Sequence, residues 1–167
     1  MIVHLPTLVT VFIDITAWLA IHFGVSYLVS LKPRLSFDPG DWLYRQRTWE
    51  KDGAIYRRLF FIHRWKDKLP DGAALFKTGF AKKRLAEYNE TYFSDFIRET
   101  CRAELTHWIS FLFCFIFFIW NLWWVGIVMI VYAIGANMPC ILTQRYNRIR
   151  LRRVINGFRY FGENDSS

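Results

Sequence analysis

Glu104 and His107 stand three residues apart, so on a helix they are neighbours on one face. A carboxylate beside an imidazole raises its basicity and fixes its tautomer, which suits a general base. A structural polar pair at a helix entrance is the other reading of the same spacing. Glu-x-x-His is also the unit of di-iron bundles, but those need a second copy and two further glutamates. The chain has no second copy, so no metal ligand set is expected.

A second cluster follows at Gln144-Arg145-Tyr146-Asn147-Arg148. Arg145 and Arg148 carry permanently charged, bidentate donors suited to phosphate. Asn147 could help hold a sugar or an oxyanion. A basic flank after a membrane span would account for the arginines but not for Gln144, Tyr146 and Asn147. Asn137 lies just before this cluster in an apolar run, where an unpaired amide is costly. Asp14, His22 or Glu104 could partner it across a bundle.

Other polar groups carry weaker signals. Asp14, Trp18 and His22 are spaced four apart on one helical stripe. Their plainest role is a packing contact that ties the first helix to the others. His63 and Asp67 have the His-x-x-x-Asp spacing of some soluble acyltransferases, yet sit in a basic amphipathic piece where a surface role is expected. Cys101, Cys114 and Cys140 are odd in number and fit no metal spacing, so packing is the default. Nucleophile elbows, Walker loops, dinucleotide fingerprints and His-Glu-x-x-His are all absent from the sequence.

The elements that would position these residues follow from composition. Of 167 residues, 53% are hydrophobic and 32 are aromatic, yet 22% are charged, which implies apolar spans plus a charged part. The net charge is +8; 16 of the 22 Lys and Arg fall between Lys32 and Arg102, and six between Arg145 and Arg159. Every basic cluster abuts an apolar run. That pattern fits membrane flanks attracted to anionic lipid and argues against nucleic acid, for which no recognition motif is present.

Residues 7–31 form one span, introduced by Pro6 and ended by Lys32-Pro33. From His107 to Thr143, 37 residues carry no Lys, Arg, Asp or Glu. One helix of that length would measure about 55 Å against a hydrocarbon core of about 30 Å. A hairpin of two arms, 104–119 and 123–143, turning at Trp120-Asn121-Leu122-Trp123-Trp124, fits better. The expected class is therefore an all-α integral membrane protein with three transmembrane helices in one domain. An interfacial segment, 32–103, contains amphipathic helices at 41–44, 53–65 and 83–100, and a basic tail covers 144–167. Charge distribution predicts an outside N-terminus and a cytoplasmic loop and tail. A hairpin would bring the Glu104 and Arg145 clusters to the same face of the bilayer.

Four motifs carry a resemblance. Trp65-Lys66-Asp67-Lys68-Leu69-Pro70-Asp71-Gly72, Glu99-Thr100-Cys101-Arg102-Ala103-Glu104-Leu105-Thr106-His107-Trp108-Ile109-Ser110, Ala136-Asn137-Met138-Pro139, and Gln144-Arg145-Tyr146-Asn147-Arg148-Ile149-Arg150-Leu151 occur in order. In them the chain resembles the glycosyl-4,4'-diaponeurosporenoate acyltransferases, small bacterial membrane enzymes of staphyloxanthin-type carotenoid synthesis. The resemblance implies transfer of a fatty acyl group from an acyl thioester such as acyl-CoA, used as a substrate with no cofactor. The acceptor would be the C6 hydroxyl of the sugar on a glycosylated carotenoid or similar glycolipid. On that reading His107 is the base, oriented by Glu104. Arg145 and Arg148 hold the donor's phosphates, and Asn147 or Arg102 neutralises the developing oxyanion. Asn137 and Gln144 contribute to substrate binding, and Asp71 with Gly72 shapes a turn over the site. A lipid-binding protein without activity and a metal-dependent membrane oxidoreductase are the competing classes.

Overall fold

The structure is a computed structural model and describes residues 6–69 and 90–164; Asp71 and Gly72 lie outside them. The described residues are helical, with no strands. Helix α1 spans Thr7–Ser30, α2 is the short Ala54–Arg58, α3 spans Glu90–Leu112 and α4 spans Trp123–Asn164. Three helical stretches are long and apolar enough to cross a membrane, Thr7–Ser30, Glu90–Ile119 and Trp123–Gly157.

Helix α1 is apolar all round, as a lipid-immersed helix is. Leu8, Phe12, Ile15, Leu19 and Phe23 form one outward stripe, while Asp14, Trp18, Val25 and Val29 are buried. The buried stripe faces a hairpin made by α3 and α4. Trp18 stacks on Phe117 with ring centroids 4.7 Å apart, and its indole N–H donates to Met129 Sδ at 3.2 Å. Asp14 accepts from Trp120 Nε1 and from Asn121 Nδ2, both at 2.8 Å. The acid thus ties α1 to the hairpin turn, while His22 stacks beside Trp18 at 5.3 Å.

The first arm of the hairpin is not one α-helix. After Leu112 the chain tightens into a 3₁₀ stretch, Phe113–Ile119. A 3₁₀ residue rises about 2.0 Å against 1.5 Å in an α-helix, so this short arm reaches further into the bilayer per residue. The tightened end packs closely on its partner. The Phe118 ring lies over Gly126, where an added Cβ would stand 2.4 Å from it.

The second arm is much longer than expected. Helix α4 continues through Pro139 without a break for 42 residues, about 63 Å, and includes the basic tail. Helix α3 likewise starts 14 residues before the expected span. The two helices therefore extend together beyond the apolar region, where Phe93, Phe96 and Ile97 pack on Leu151 and Ile155.

The segment 34–69 wraps this extension rather than forming long amphipathic helices. Residues 41–44 make turns, and the expected helix over 53–65 breaks after Arg58, with Phe61 left-handed at φ 46°. Tyr56 and Ile62 are fully buried against Tyr146 and Ile149 of α4, so this piece grips protein on that side. Phe37 and Tyr44 close over Val25, Val29 and Cys101. The chain reverses at Lys51, Asp52 and Gly53, all with positive φ, directly against Tyr146 and Ile149. His63 is exposed and Asp67 pairs with neighbouring Lys66, so the His-x-x-x-Asp spacing builds no site.

Candidate functional site

The hairpin brings the two polar clusters together. Glu104 of α3 is fully buried, and it takes Arg145 Nη1 on Oε1 at 2.8 Å and Arg148 Nη2 on Oε2. Trp108 Nε1 adds a long contact to Oε1 at 3.4 Å. Both oxygens of Glu104 are thus engaged by guanidinium groups.

Arg145 is saturated. Its Nε donates to Glu50 Oε1 at 3.0 Å, and its Nη1 donates to Leu43 O at 3.0 Å as well as to Glu104. Its Nη2 donates to Arg45 O at 3.2 Å and Glu50 Oε2 at 3.3 Å. A guanidinium has five N–H donors, and all five are used. Arg148 is buried as well, reaching Thr100 Oγ1 at 3.4 Å and Cys101 Sγ at 3.5 Å while its guanidinium lies over the Tyr44 ring. Arg145 and Arg148, the residues expected to hold donor phosphates, are engaged here in a buried ion-pair network. Glu104 is the centre of that network.

Glu50 is the member that sequence reasoning missed. It sits in a charged loop with no motif, and only the fold shows it to be fully buried, with Tyr56 Oη and the Arg47 backbone N–H donating to it. Burial pushes its carboxyl up, but hydrogen bonds from Arg145, Tyr56 and the Arg47 N–H outweigh this and hold it below the ordinary carboxylate value. Burial, then the Glu50 hydrogen bond, pushes the Tyr56 hydroxyl the other way, keeping it a proton donor.

His107 stands apart from this lock. Its Nδ1 lies 3.1 Å from Asn137 Oδ1, and Asn137 Nδ2 donates to Ala133 O at 2.9 Å. Asn137 thus faces the ring, while the carboxylate of Glu104, the expected orienting partner, is engaged by the two arginines. Asn137 itself is fully buried and finds its partner in His107, not in Asp14, His22 or Glu104.

At 3.6 residues per turn, Gln144 and Arg148 fall about 20° to either side of Asn137 around α4, while Asn147 and Arg145 are each turned about 80° from it, to opposite sides. Amides and arginines are thus interleaved on one broad face of the helix. Gln144 Oε1 is buried with no hydrogen-bond partner, as is the Thr143 hydroxyl. Asn147 is half-buried. Arg102 points elsewhere: it holds Glu99 through Nε at 2.9 Å and Nη2 at 2.6 Å. Together with Ser30, Lys32 and Arg34 that pair lines a cavity where α1 ends.

A family model described as glycosyl-4,4'-diaponeurosporenoate acyltransferase matches residues 40–157, beginning well ahead of Trp65. A protein of that name from Staphylococcus haemolyticus (strain JCSC1435) is 35% identical over 134 residues, covering 80% of this chain and 78% of its own length. One from Staphylococcus aureus (strain bovine RF122 / ET3-1) is 33% identical over 148 residues, covering 87% and 88%. Another, from Staphylococcus aureus (strain N315), is 33% identical over 146 residues with the same coverage. No solved structure matches. With the match spanning most of the chain, this membrane protein belongs to the glycosyl-4,4'-diaponeurosporenoate acyltransferase family.

Proposed function

We propose that the protein moves a fatty acyl group from an acyl thioester, with acyl-CoA as the donor, to a sugar hydroxyl of a glycosylated carotenoid or similar glycolipid. His107 is the general base. It accepts the proton of the sugar's C6 hydroxyl as that oxygen attacks the thioester carbonyl. A C–O bond forms, the C–S bond breaks, and the proton passes on to the departing thiolate. The acceptor's apolar tail lies along the lipid-facing helices, and its sugar reaches Gln144 and Asn147 of α4. Gln144 and Asn147 hold sugar hydroxyls, and Asn147 also supports the oxyanion.

The observation that carries this reading is the separation of roles within the hairpin. The Glu104 carboxylate is locked by Arg145 and Arg148, while the His107 imidazole, one turn away, faces Asn137. A base is thereby held beside a rigid ion-pair core. Family membership supports acyl transfer over a lipid-binding scaffold or an oxidoreductase.

The test uses purified protein in nanodiscs, supplied with acyl-CoA and a glycosylated carotenoid, with product mass as readout. The wild type should yield a product heavier by one acyl chain. H107N should lose on the order of a hundredfold or more in turnover, as removal of a general base does. Full turnover by a folded H107N protein would sink the assignment.

A further inference from the structure

The geometry points to Asn137 as a positioning residue that sets the tautomer of His107, so that the ring proton resides on Nδ1 and the basic lone pair on Nε2. The inference rests on the reading of His107 as the base and adds which nitrogen does the work and what selects it.

The argument is one of hydrogen-bond accounting. Asn137 has one oxygen and one amide nitrogen to place. Its nitrogen lies 2.9 Å from Ala133 O, a backbone acceptor four residues earlier on the same helix. Turning the amide over would set its oxygen against that carbonyl, two acceptors in contact at a buried position, which is heavily penalised. The Asn137 oxygen is therefore the atom that faces His107 Nδ1 at 3.1 Å. An oxygen only accepts, so Nδ1 must carry the hydrogen. In a neutral imidazole the other nitrogen, Nε2, is then the acceptor. Asn137 is fully buried, so water does not compete for this bond and the choice of tautomer is strict.

Glu104 lies a turn away on α3 but is occupied by Arg145 and Arg148. A neutral amide in place of a carboxylate orients the ring without adding a second negative charge to a site that must release a proton in each cycle.

The test combines a spectroscopic and a kinetic readout on the full-length protein in nanodiscs. Nitrogen-15 NMR of ring-labelled histidine, with the His107 signal assigned by its loss in H107N, reports which nitrogen is protonated. The wild type should show a protonated Nδ1 and an unprotonated Nε2 above the titration of the ring. N137L should shift the population toward Nε2–H and lower kcat on the order of a hundredfold, with acceptor KM changed less than about threefold. A wild-type ring protonated on Nε2, or an N137L protein with unchanged kcat, overturns the inference. The wild-type spectrum stands even if N137L fails to fold. A fully active H107N protein overturns instead the underlying assignment of the base, so the two failures are distinguishable.

Discussion

At the scale of single residues, chemically similar side chains have divided the work. Four polar residues of the second cluster lie within five positions of α4, yet Arg145 and Arg148 go to Glu104 while the Gln144 side-chain oxygen is left without a partner. Gln144 offers a direct check. Its Oε1 is buried without a partner, which costs the unliganded protein on the order of 1–3 kcal/mol. Q144L should therefore leave thermal stability equal or higher while lowering kcat/KM for the glycosylated acceptor by about tenfold, one hydrogen bond's worth. Lower stability with unchanged kinetics would make Gln144 a packing residue. Glu104 should behave oppositely. E104A strands the buried Arg148 guanidinium and takes one of two carboxylates from Arg145, and should cost about 3–5 kcal/mol, read as a fall in melting temperature. The double variant E104M/R148M should be less damaging than E104A, because it removes a buried charge from each side.

At the scale of elements, the basic residues of α4 act as clamps on the 34–69 segment. Arg145 donates to the carbonyls of Leu43 and Arg45, Arg152 to Pro39 O at 2.8 Å, and Arg153 to Asp52 O. A segment with so little regular structure leaves many carbonyls unpaired, and the arginines supply the missing donors. Glu50 anchors the same segment to Arg145, and this anchor is sensitive to pH. Its folded carboxyl is held below the ordinary value. The associated stability is present above the unfolded carboxylate range, about pH 4.3, and is lost as pH falls through the folded value. Thermal melts should show the wild type keeping this contribution from pH 7 down to about pH 4.3 and losing it as the pH falls further. E50Q should start lower at pH 7 and decline less steeply; parallel curves for the two proteins would contradict the assignment.

At the scale of the whole molecule, Asp14 at one end and Glu104 at the other define the polarity of the bundle. The first end of α1 meets the hairpin turn through Asp14, Trp120 and Asn121, so the end of α1 at Ser30 lies with the ion-pair lock. Positive charge concentrates at that second end, from which we infer that it is cytoplasmic. Cysteine labelling tests this. Leu35 and Leu122 are exposed at opposite ends. In intact cells a membrane-impermeant maleimide should modify L122C, and L35C only after permeabilisation, with the wild type as background. The reverse pattern would invert the sidedness while leaving the bundle as described.

The number of spans, the hairpin and the meeting of its two polar clusters were legible in the sequence. They follow from one-dimensional quantities: the length of apolar runs against bilayer thickness, and the absence of charge between His107 and Arg145. The motifs also pointed to the family. Partner choice among the polar residues was decided only in three dimensions. The adjacency of Glu104 and His107 was visible, but the long-range claim of Arg145 and Arg148 on the carboxylate was not, nor was Asn137 as the imidazole's partner. Glu50, buried from a loop 95 positions before Arg145, left no local pattern at all. Spacing along a helix shows which side chains can share a face; which of them pair depends on what the opposing helix and the wrapping segment present when water is excluded, and that competition is settled only by the tertiary fold.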